Sequence, residues 1–484
     1  MSITEHGCSG AAKTVYEITR TYLFSCCIVT DFGRKETVRT NWCRQRCQYL
    51  RHVETKQNQG EVALAQSGPI AASGGDSTFP VARSMLPYTF MLFFVVGFVT
   101  VLVDVLVPKF RAAFDLDHAE AMLAQFAFFL AYFLISLPAG RLLDRLGYLR
   151  GTVLGFTTVG IGILLFVPAV EIARFWVFLV ALFITASGIT MIQVAMNPLA
   201  SGLGPVASAP QRLTLAQAFN SLATTIGPPL GGYFIFGAVT AETGNSADSL
   251  RVLEGPCIAL AVFMFVIAFG FWLARRNETV VRRESAHWHM PSLKENPRLG
   301  FGALCIFVYV GAEVAIGSMM IEYLNQQSTL GLTKAEAAGY LSLYWGGAMV
   351  GRFIGSVAMA KIAPSRVLAF CAIMTTVLAA VSAFTTGPVS AYTAIAIGLF
   401  NSIMFPTIFS LSVKDMDDQT PAASGLLCLS IVGGAIIPVL TGLLADATSM
   451  HLAMIVPVVC YIAIVVLGVK CTIGRLENGY GRIR

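Results

Sequence analysis

The chain has 484 residues, 56% of them hydrophobic and 12% charged, with a formal net charge of +6 and a mean hydropathy of +0.70. A soluble domain carries about 25% charged residues, so this composition excludes a soluble enzyme, a disordered protein and a nucleic-acid binder. What remains is an all-α polytopic membrane protein.

Residues 1–85 differ from the rest. They are polar and mixed in charge, and their best apolar run, 22–30, is far short of the roughly 20 residues that cross a bilayer core. No secretory signal is apparent. Cys43-x3-Cys47 with His52 lacks a fourth ligand, so no metal is expected there. The segment reads either as a disordered cytoplasmic extension or as a mis-assigned start, with initiation at Met85 or Met91. Cys257, Cys305, Cys371, Cys428, Cys460 and Cys471 lie in or at the ends of apolar runs, where cysteine is a small packing residue.

From Leu86 onward, twelve apolar segments have spanning length: 87–108, 122–142, 152–170, 175–198, 214–236 and 255–274, then 301–324, 337–360, 367–386, 389–413, 422–445 and 452–470. The hydrophilic stretch 275–300 separates the two sixes. The expected organisation is a six-helix bundle over 86–274, a cytoplasmic linker over 275–300, a second six-helix bundle over 301–471 and a tail over 472–484. The loops after even-numbered spans hold Arg141, Arg145, Arg150, Arg212, the basic cluster 275–298, Lys361, Arg366 and Lys414. The other loops hold only Lys109, Arg111, Arg174, Arg251 and Lys334. Basic residues mark the cytoplasmic side, so both termini are expected there.

The halves are related. Met196-Asn197-Pro198 recurs as Met404-Phe405-Pro406 at an offset of 208, and Gly227-Pro228-Pro229 has a counterpart in the 433–438 stretch. Repeats with broken helices place a transporter's site near mid-membrane, between the halves.

Polar groups inside the spans point to that site. A carboxylate in the bilayer needs a partner, a water cavity or a proton, and Asp104 and Glu313 qualify as ion-coupling groups. Asp104 can also be read as a helix-end acid, with Pro108 one turn away. Arg352 reads as a structural charge tie near the cytoplasmic end of its helix. Gln193 and Asn197 share one helix face, Gln217 and Asn220 another, and Asn401 stands at the Gln193 position under the 208 offset. Amides offer both donors and acceptors, which suits a neutral polyhydroxylated substrate; interhelical hydrogen bonding is the plainer role. Trp345 and Tyr344 either stack on a sugar ring or pack.

The stretch Gly140-Arg-Leu-Leu-Asp144-Arg145-Leu-Gly147 resembles the G-x-x-x-D-R-x-G conformational-switch loop of the major facilitator superfamily. Five further stretches are more specific: Gln193-Val-Ala-Met-Asn-Pro198, Leu215-Ala-Gln-Ala-Phe-Asn-Ser221, Tyr309-Val-Gly-Ala-Glu-Val-Ala-Ile-Gly-Ser318, Tyr344-Trp-Gly-Gly-Ala-Met-Val-Gly-Arg-Phe-Ile-Gly355 and Gly398-Leu-Phe-Asn-Ser-Ile-Met-Phe-Pro-Thr-Ile-Phe409. Together they are similar to the fucose/glucose/galactose permease family. The resemblance covers about residues 86–470 and implies the major facilitator fold, with 12 transmembrane helices in two pseudo-symmetric six-helix bundles. It implies coupling at Asp104 and sugar contacts at Gln217 and Asn220. The fucose branch carries Glu on the fourth helix and Gln on the seventh; Gln193 and Glu313 exchange those types, as in the glucose/galactose branch. Gln193 cannot titrate, so Glu313 is expected to take the protonatable role. Val101 and Val103 stand near where the fucose branch has Asn, which argues against fucose.

The expected function is therefore import of a monosaccharide, foremost glucose and galactose, by symport with H+ or Na+, without a cofactor. The expected setting is a monomer in the bacterial inner membrane. An N-acetylhexosamine or fucose permease and a non-transporting sugar sensor are the alternatives. The uncharged amide set argues against drug efflux. The acidic stretch Asp415-Met-Asp417-Asp418 reads as a solvated face balancing Lys414 rather than as an enzyme's metal site.

Overall fold

The computed structural model describes residues 86–100, 118–172, 174–231, 254–274, 289–416 and 419–473. The N-terminal extension, the second half of the first span with Asp104, Val101 and Val103, most of the linker and most of the tail lie outside the described residues. So do Asp417 and Asp418.

Among the described residues every regular element is helical. The helices are α1 (Leu86–Thr100), α2 (His118–Leu146), α3 (Tyr148–Leu164), α4 (Phe166–Ile172), α5 (Phe175–Gly202), α6 (Ala209–Gly231) and α7 (Glu254–Ala274). There follow α8 (Pro297–Asn325), α9 (Lys334–Met359), α10 (Pro364–Phe384), α11 (Gly387–Asn401), α12 (Met404–Ser412), α13 (Thr420–Leu429), α14 (Gly433–Ala447), α15 (Met450–Ala453) and α16 (Ile455–Thr472). Nine helical stretches among the described residues are long and apolar enough to cross a membrane, and they coincide with nine predicted spans. α6 and α9 fall at the predicted fifth and eighth spans but are less apolar. They pack against each other at the centre, so their polar residues face protein rather than lipid. α8 begins at Pro297, so the predicted linker ends a few residues early.

The outward surface is greasy. On α7, Val262, Val266, Phe269 and Leu273 are all exposed and follow one helix face. So large an exposed apolar face is stable only against lipid. Inside, small residues bring backbones together. A Cβ on Gly188 of α5 would lie 2.6 Å from Val159 N and 2.7 Å from Gly155 O of α3. The six described cysteines are buried and form no disulfide with one another, in line with the packing role.

The helices pack as two groups. α2, α3, α5 and α7 form one, and α8 to α12, α14 and α16 the other. The groups meet where α6 crosses α9 and α12, and where α2 and α5 cross α13. The α2–α13 crossing is very close. A Cβ on Gly140 would lie 2.7 Å from Pro421 O, and one on Gly425 would lie 2.8 Å from Ser136 O.

That crossing corrects one expectation. Gly140, Asp144 and Arg145 are not in a loop but on the last turns of α2. Basic residues suit a helix C-terminus, and Arg145 lies in the final turn. The chain turns only at Gly147, whose φ of 82° is the left-handed conformation that glycine adopts freely. Arg212 staples the next connection: its guanidinium donates to Ala200 O (3.3 Å), Pro205 O (2.9 Å) and Ser201 O, the first and last of these at the end of α5. Asp415 pairs with Arg298 of α8 at 3.3 Å, which ties the α12–α13 connection to a cation other than the expected Lys414.

Candidate functional site

The polar residues singled out from the sequence fall into two clusters that meet at Arg352. The first lies on α5 and α6. Gln193 and Asn197 are one turn apart on α5. Gln193 Nε2 donates to the Tyr132 hydroxyl of α2 at 2.9 Å. Asn197 is fully buried; its Oδ1 accepts from Gln217 Nε2 of α6 at 3.4 Å, and its Nδ2 reaches Cys428 Sγ of α13 at 4.0 Å. Asn220, one turn on from Gln217, donates to Phe93 O of α1 at 3.0 Å. The approach is close because Gly97 of α1 has no side chain: a Cβ there would sit 2.4 Å from Asn220 O. The four amides thus share one region of α5 and α6, half-buried to buried.

The second cluster lies on α8, α9, α11 and α16. Glu313 is at the middle of α8, with its side chain 13% exposed. Tyr344 of α9 is fully buried. Its hydroxyl donates to Glu313 O (3.3 Å) and accepts from Asn401 Nδ2 (3.0 Å). Tyr309, one turn before Glu313, and Tyr461 of α16 complete the cluster, both buried. Tyr344 therefore presents no face for stacking and takes the second of its two expected roles, packing, while Asn401 is buried behind it rather than beside the other amides. Trp345 is 42% exposed, stands edge-on to Tyr344 at 5.0 Å, and keeps a face for a ring.

Arg352 joins the clusters. Its Nε donates to Ser402 O at 3.1 Å, and its Nη1 donates to Gln217 O at 3.4 Å and to Ser221 Oγ. Nη2 lies 3.9 Å from Glu313 Oε1, a loose pair. The charge tie expected of Arg352 thus runs both to Glu313 in its own group and to α6 in the other.

The repeat explains two of the carbonyls used here. Proline has no N–H, so it frees the carbonyl four residues earlier. Pro198 frees Val194 O, which accepts from Ser424 Oγ of α13 at 2.8 Å. Pro406, at the 208 offset, frees Ser402 O, which accepts from Arg352. The offset also relates the two amides, Gln193 and Asn401, each of which donates to a tyrosine hydroxyl, Tyr132 and Tyr344, although these tyrosines are not themselves at that offset.

Tyr132, Tyr309, Tyr461 and Ser221 were not singled out by sequence. Tyr309 had a usable signal, its one-turn spacing from Glu313. The others had none, since a tyrosine or serine in an apolar run is ordinary. Among the described residues no cluster of His, Cys, Asp and Glu could hold a metal.

Spanning helices packed in two groups, with amides and a carboxyl group where they meet, define a polytopic membrane transporter. The Major Facilitator Superfamily profile matches residues 89–431. The chain is 44% identical over 386 residues to a glucose/galactose transporter of Brucella abortus biovar 1 (strain 9-941), covering 78% of this chain and 92% of that one. It is 31% identical over 402 residues to the L-fucose-proton symporter of Escherichia coli (strain K12), covering 78% and 92%. Among solved structures it is similar to FucP, a Major Facilitator Superfamily transporter in the outward conformation, with a TM-score of 0.71, 30% identity and coverage of 79% and 97%. The chain belongs to the Major Facilitator Superfamily, and within it to the fucose/glucose/galactose permease family. It is a multi-pass membrane transporter and not an enzyme.

Proposed function

We propose that the protein imports glucose and galactose by cation symport through alternating access. The observation that carries this reading is Arg352, held between the amides of α6 and the carboxyl of Glu313. A neutral amide set suits hydroxyls, and a buried carboxyl suits a cation that comes and goes. The identity to a glucose/galactose transporter, higher than that to a fucose symporter, favours glucose and galactose over fucose. Gln193, Asn197, Gln217 and Asn220 bind sugar hydroxyls, with Trp345 against the ring. Glu313 couples the cation, in concert with Asp104. The helix groups 86–274 and 301–471 rock about the site, with Gly140 at the switching crossing and Gly147 at the turn that follows it. The setting we propose is the bacterial inner membrane, as a monomer with both termini cytoplasmic.

The test is uptake of labelled glucose and galactose into proteoliposomes under an imposed pH gradient and, separately, a sodium gradient. Accumulation under either gradient, lost in Glu313→Gln, is the expected result. Counterflow without accumulation refutes symport, and no movement of any hexose refutes the reading.

A further inference from the structure

Trp345 stands on the side of α9 that looks across to the other helix group. Met349 and Arg352, four and seven residues on, share that side. Both reach α6: Thr225 Oγ1 donates to Met349 Sδ at 3.6 Å, and Arg352 Nη1 donates to Gln217 O at 3.4 Å. The lipid side of α9 is a different one, marked by the exposed Leu343, Val350, Ile354 and Val357. The exposed part of Trp345 therefore opens between the groups, one turn beyond the Met349 contact.

The ring is held there at a fixed depth. It rests on Gly317 of α8, one turn on from Glu313. A Cβ on Gly317 would lie 2.8 Å from Trp345 Cζ2 and 3.5 and 3.6 Å from its bonded neighbours Cη2 and Cε2, which is an edge-on approach. On another side stands Tyr344, at 76° to the indole, with its hydroxyl bonded to Glu313 O and Asn401 Nδ2. The helix is held too, because Gly347 and Gly351 bring α9 directly against Leu399 of α11. Neither α9 nor Tyr344 has room to yield. The bare backbone of Gly317 is what lets the indole lie back against α8.

An aromatic face is apolar and carries negative charge density, so it receives C–H bonds and offers nothing to a hydroxyl that points into it. In the chair form of D-glucose the axial C3–H and C5–H bonds point to one side of the ring. D-Galactose has the same side, because its axial hydroxyl at C4 points to the other. The C3 epimer, D-allose, differs: its axial hydroxyl at C3 stands on that side.

We propose that Trp345 is the platform for the C3–H and C5–H side of the sugar, and that Gly317 is a specificity-determining residue because it sets how far the platform is drawn back. This rests on the hexose reading above and deepens it. The contact is blind to C4, so one site serves both glucose and galactose. It rejects a C3 epimer, whose hydroxyl would lie against the indole without a partner. A methyl group at 317 would push the indole along its own plane into the space the sugar needs. A smaller phenyl ring at 345 would give that space back.

The experiment uses the full chain in proteoliposomes and reads exchange of labelled sugar, which needs no ion gradient. Wild type prefers D-glucose to D-allose by about 10- to 100-fold in kcat/KM, and Trp345→Ala brings the two sugars within about threefold of each other. Gly317→Ala raises KM for glucose by about tenfold with kcat held within about threefold, and the double variant with Trp345→Phe returns KM to within about threefold of Trp345→Phe alone. A purely structural role for Gly317 would lower kcat and would not be rescued by the smaller ring. Discrimination kept within about threefold of wild type in Trp345→Ala overturns the platform. Unchanged KM in Gly317→Ala, or no rescue by Trp345→Phe, overturns the role of Gly317. If Trp345→Ala does not purify as a folded protein, tryptophan emission decides: glucose shifts it in wild type, D-allose at the same concentration does not, and the shift is absent in Trp345→Phe. An equal response to glucose in both proteins overturns the proposal. No exchange of glucose or galactose by wild type would refute the hexose reading itself, whereas refutation of the platform alone leaves that exchange intact.

Discussion

The α2–α13 crossing gives a quantitative handle on the switch between states. Replacing Gly425 by Ala puts a methyl group 2.8 Å from Ser136 O, and replacing Gly140 puts one 2.7 Å from Pro421 O. Both distances are shorter than a packed Cβ tolerates, and both partners are backbone atoms of helices. No rotamer change relieves the overlap, so the helices must separate. Overpacking of this kind costs about 1–3 kcal/mol. The state in which this end stands open bears no such cost. Its population relative to the closed state therefore rises by about 5- to 150-fold. Cys428 is a native reporter: it is buried at 0% exposure, one turn beyond Gly425 and against Asn197. Its labelling by a water-soluble maleimide, followed by peptide mass spectrometry, should speed up by that factor in both variants. Cys305 serves as the internal control. It is buried between α8 and α16, within one helix group, and its labelling should not change. A folded Gly140→Ala or Gly425→Ala protein with unchanged Cys428 labelling would refute the reasoning.

Three further predictions follow the same physics. Ser424→Ala removes the donor to Val194 O, a bond worth about 1 kcal/mol; Cys428 labelling should rise by about fivefold, and no rise would mean the bond does not hold the groups together. Arg352→Lys keeps the charge, but one ammonium cannot reach Ser402 O, Ser221 Oγ, Gln217 O and Glu313 together; accumulation under a pH gradient should fall by at least about tenfold. Tyr323→Phe strips a hydroxyl that meets Ser382 Oγ (2.8 Å), Ser390 Oγ and His451 Nδ1 (3.1 Å). Thermal unfolding in detergent should show a loss of about 1–2 kcal/mol, and an unchanged midpoint would show that the cluster reorganises at no cost.

Much of this was legible in the sequence, for physical reasons. Long apolar runs have one use, so nine spans were placed to within a few residues. Glu313 stood out because a carboxylate in such a run is expensive. The switch stretch misled because its resemblance to a family loop motif placed Gly140, Asp144 and Arg145 in a loop, whereas a helix emerging from a bilayer carries charges on its last turns without breaking. Tyr344 and Trp345 were indistinguishable as neighbours; only packing shows that one is sealed and the other open. Tyr461 was invisible because its significance depends on helices more than a hundred residues apart.

Pro198 also bears on how the helix groups come apart. A missing N–H cannot be moved by side-chain rotation, so Val194 O offers its lone pairs at a fixed point of α5. Ser424 occupies that point when the groups are together. When they part, solvent can occupy it instead, and exchanging one hydroxyl for another changes the free energy by little more than about 1 kcal/mol. The joint is therefore releasable without a large barrier of its own. Any other residue at 198 would return one lone pair of that carbonyl to its own helix and leave Ser424 to share it with an N–H. Here a ring that subtracts a donor does what an added group could not: it makes a contact between two bodies that is specific when made and cheap to undo.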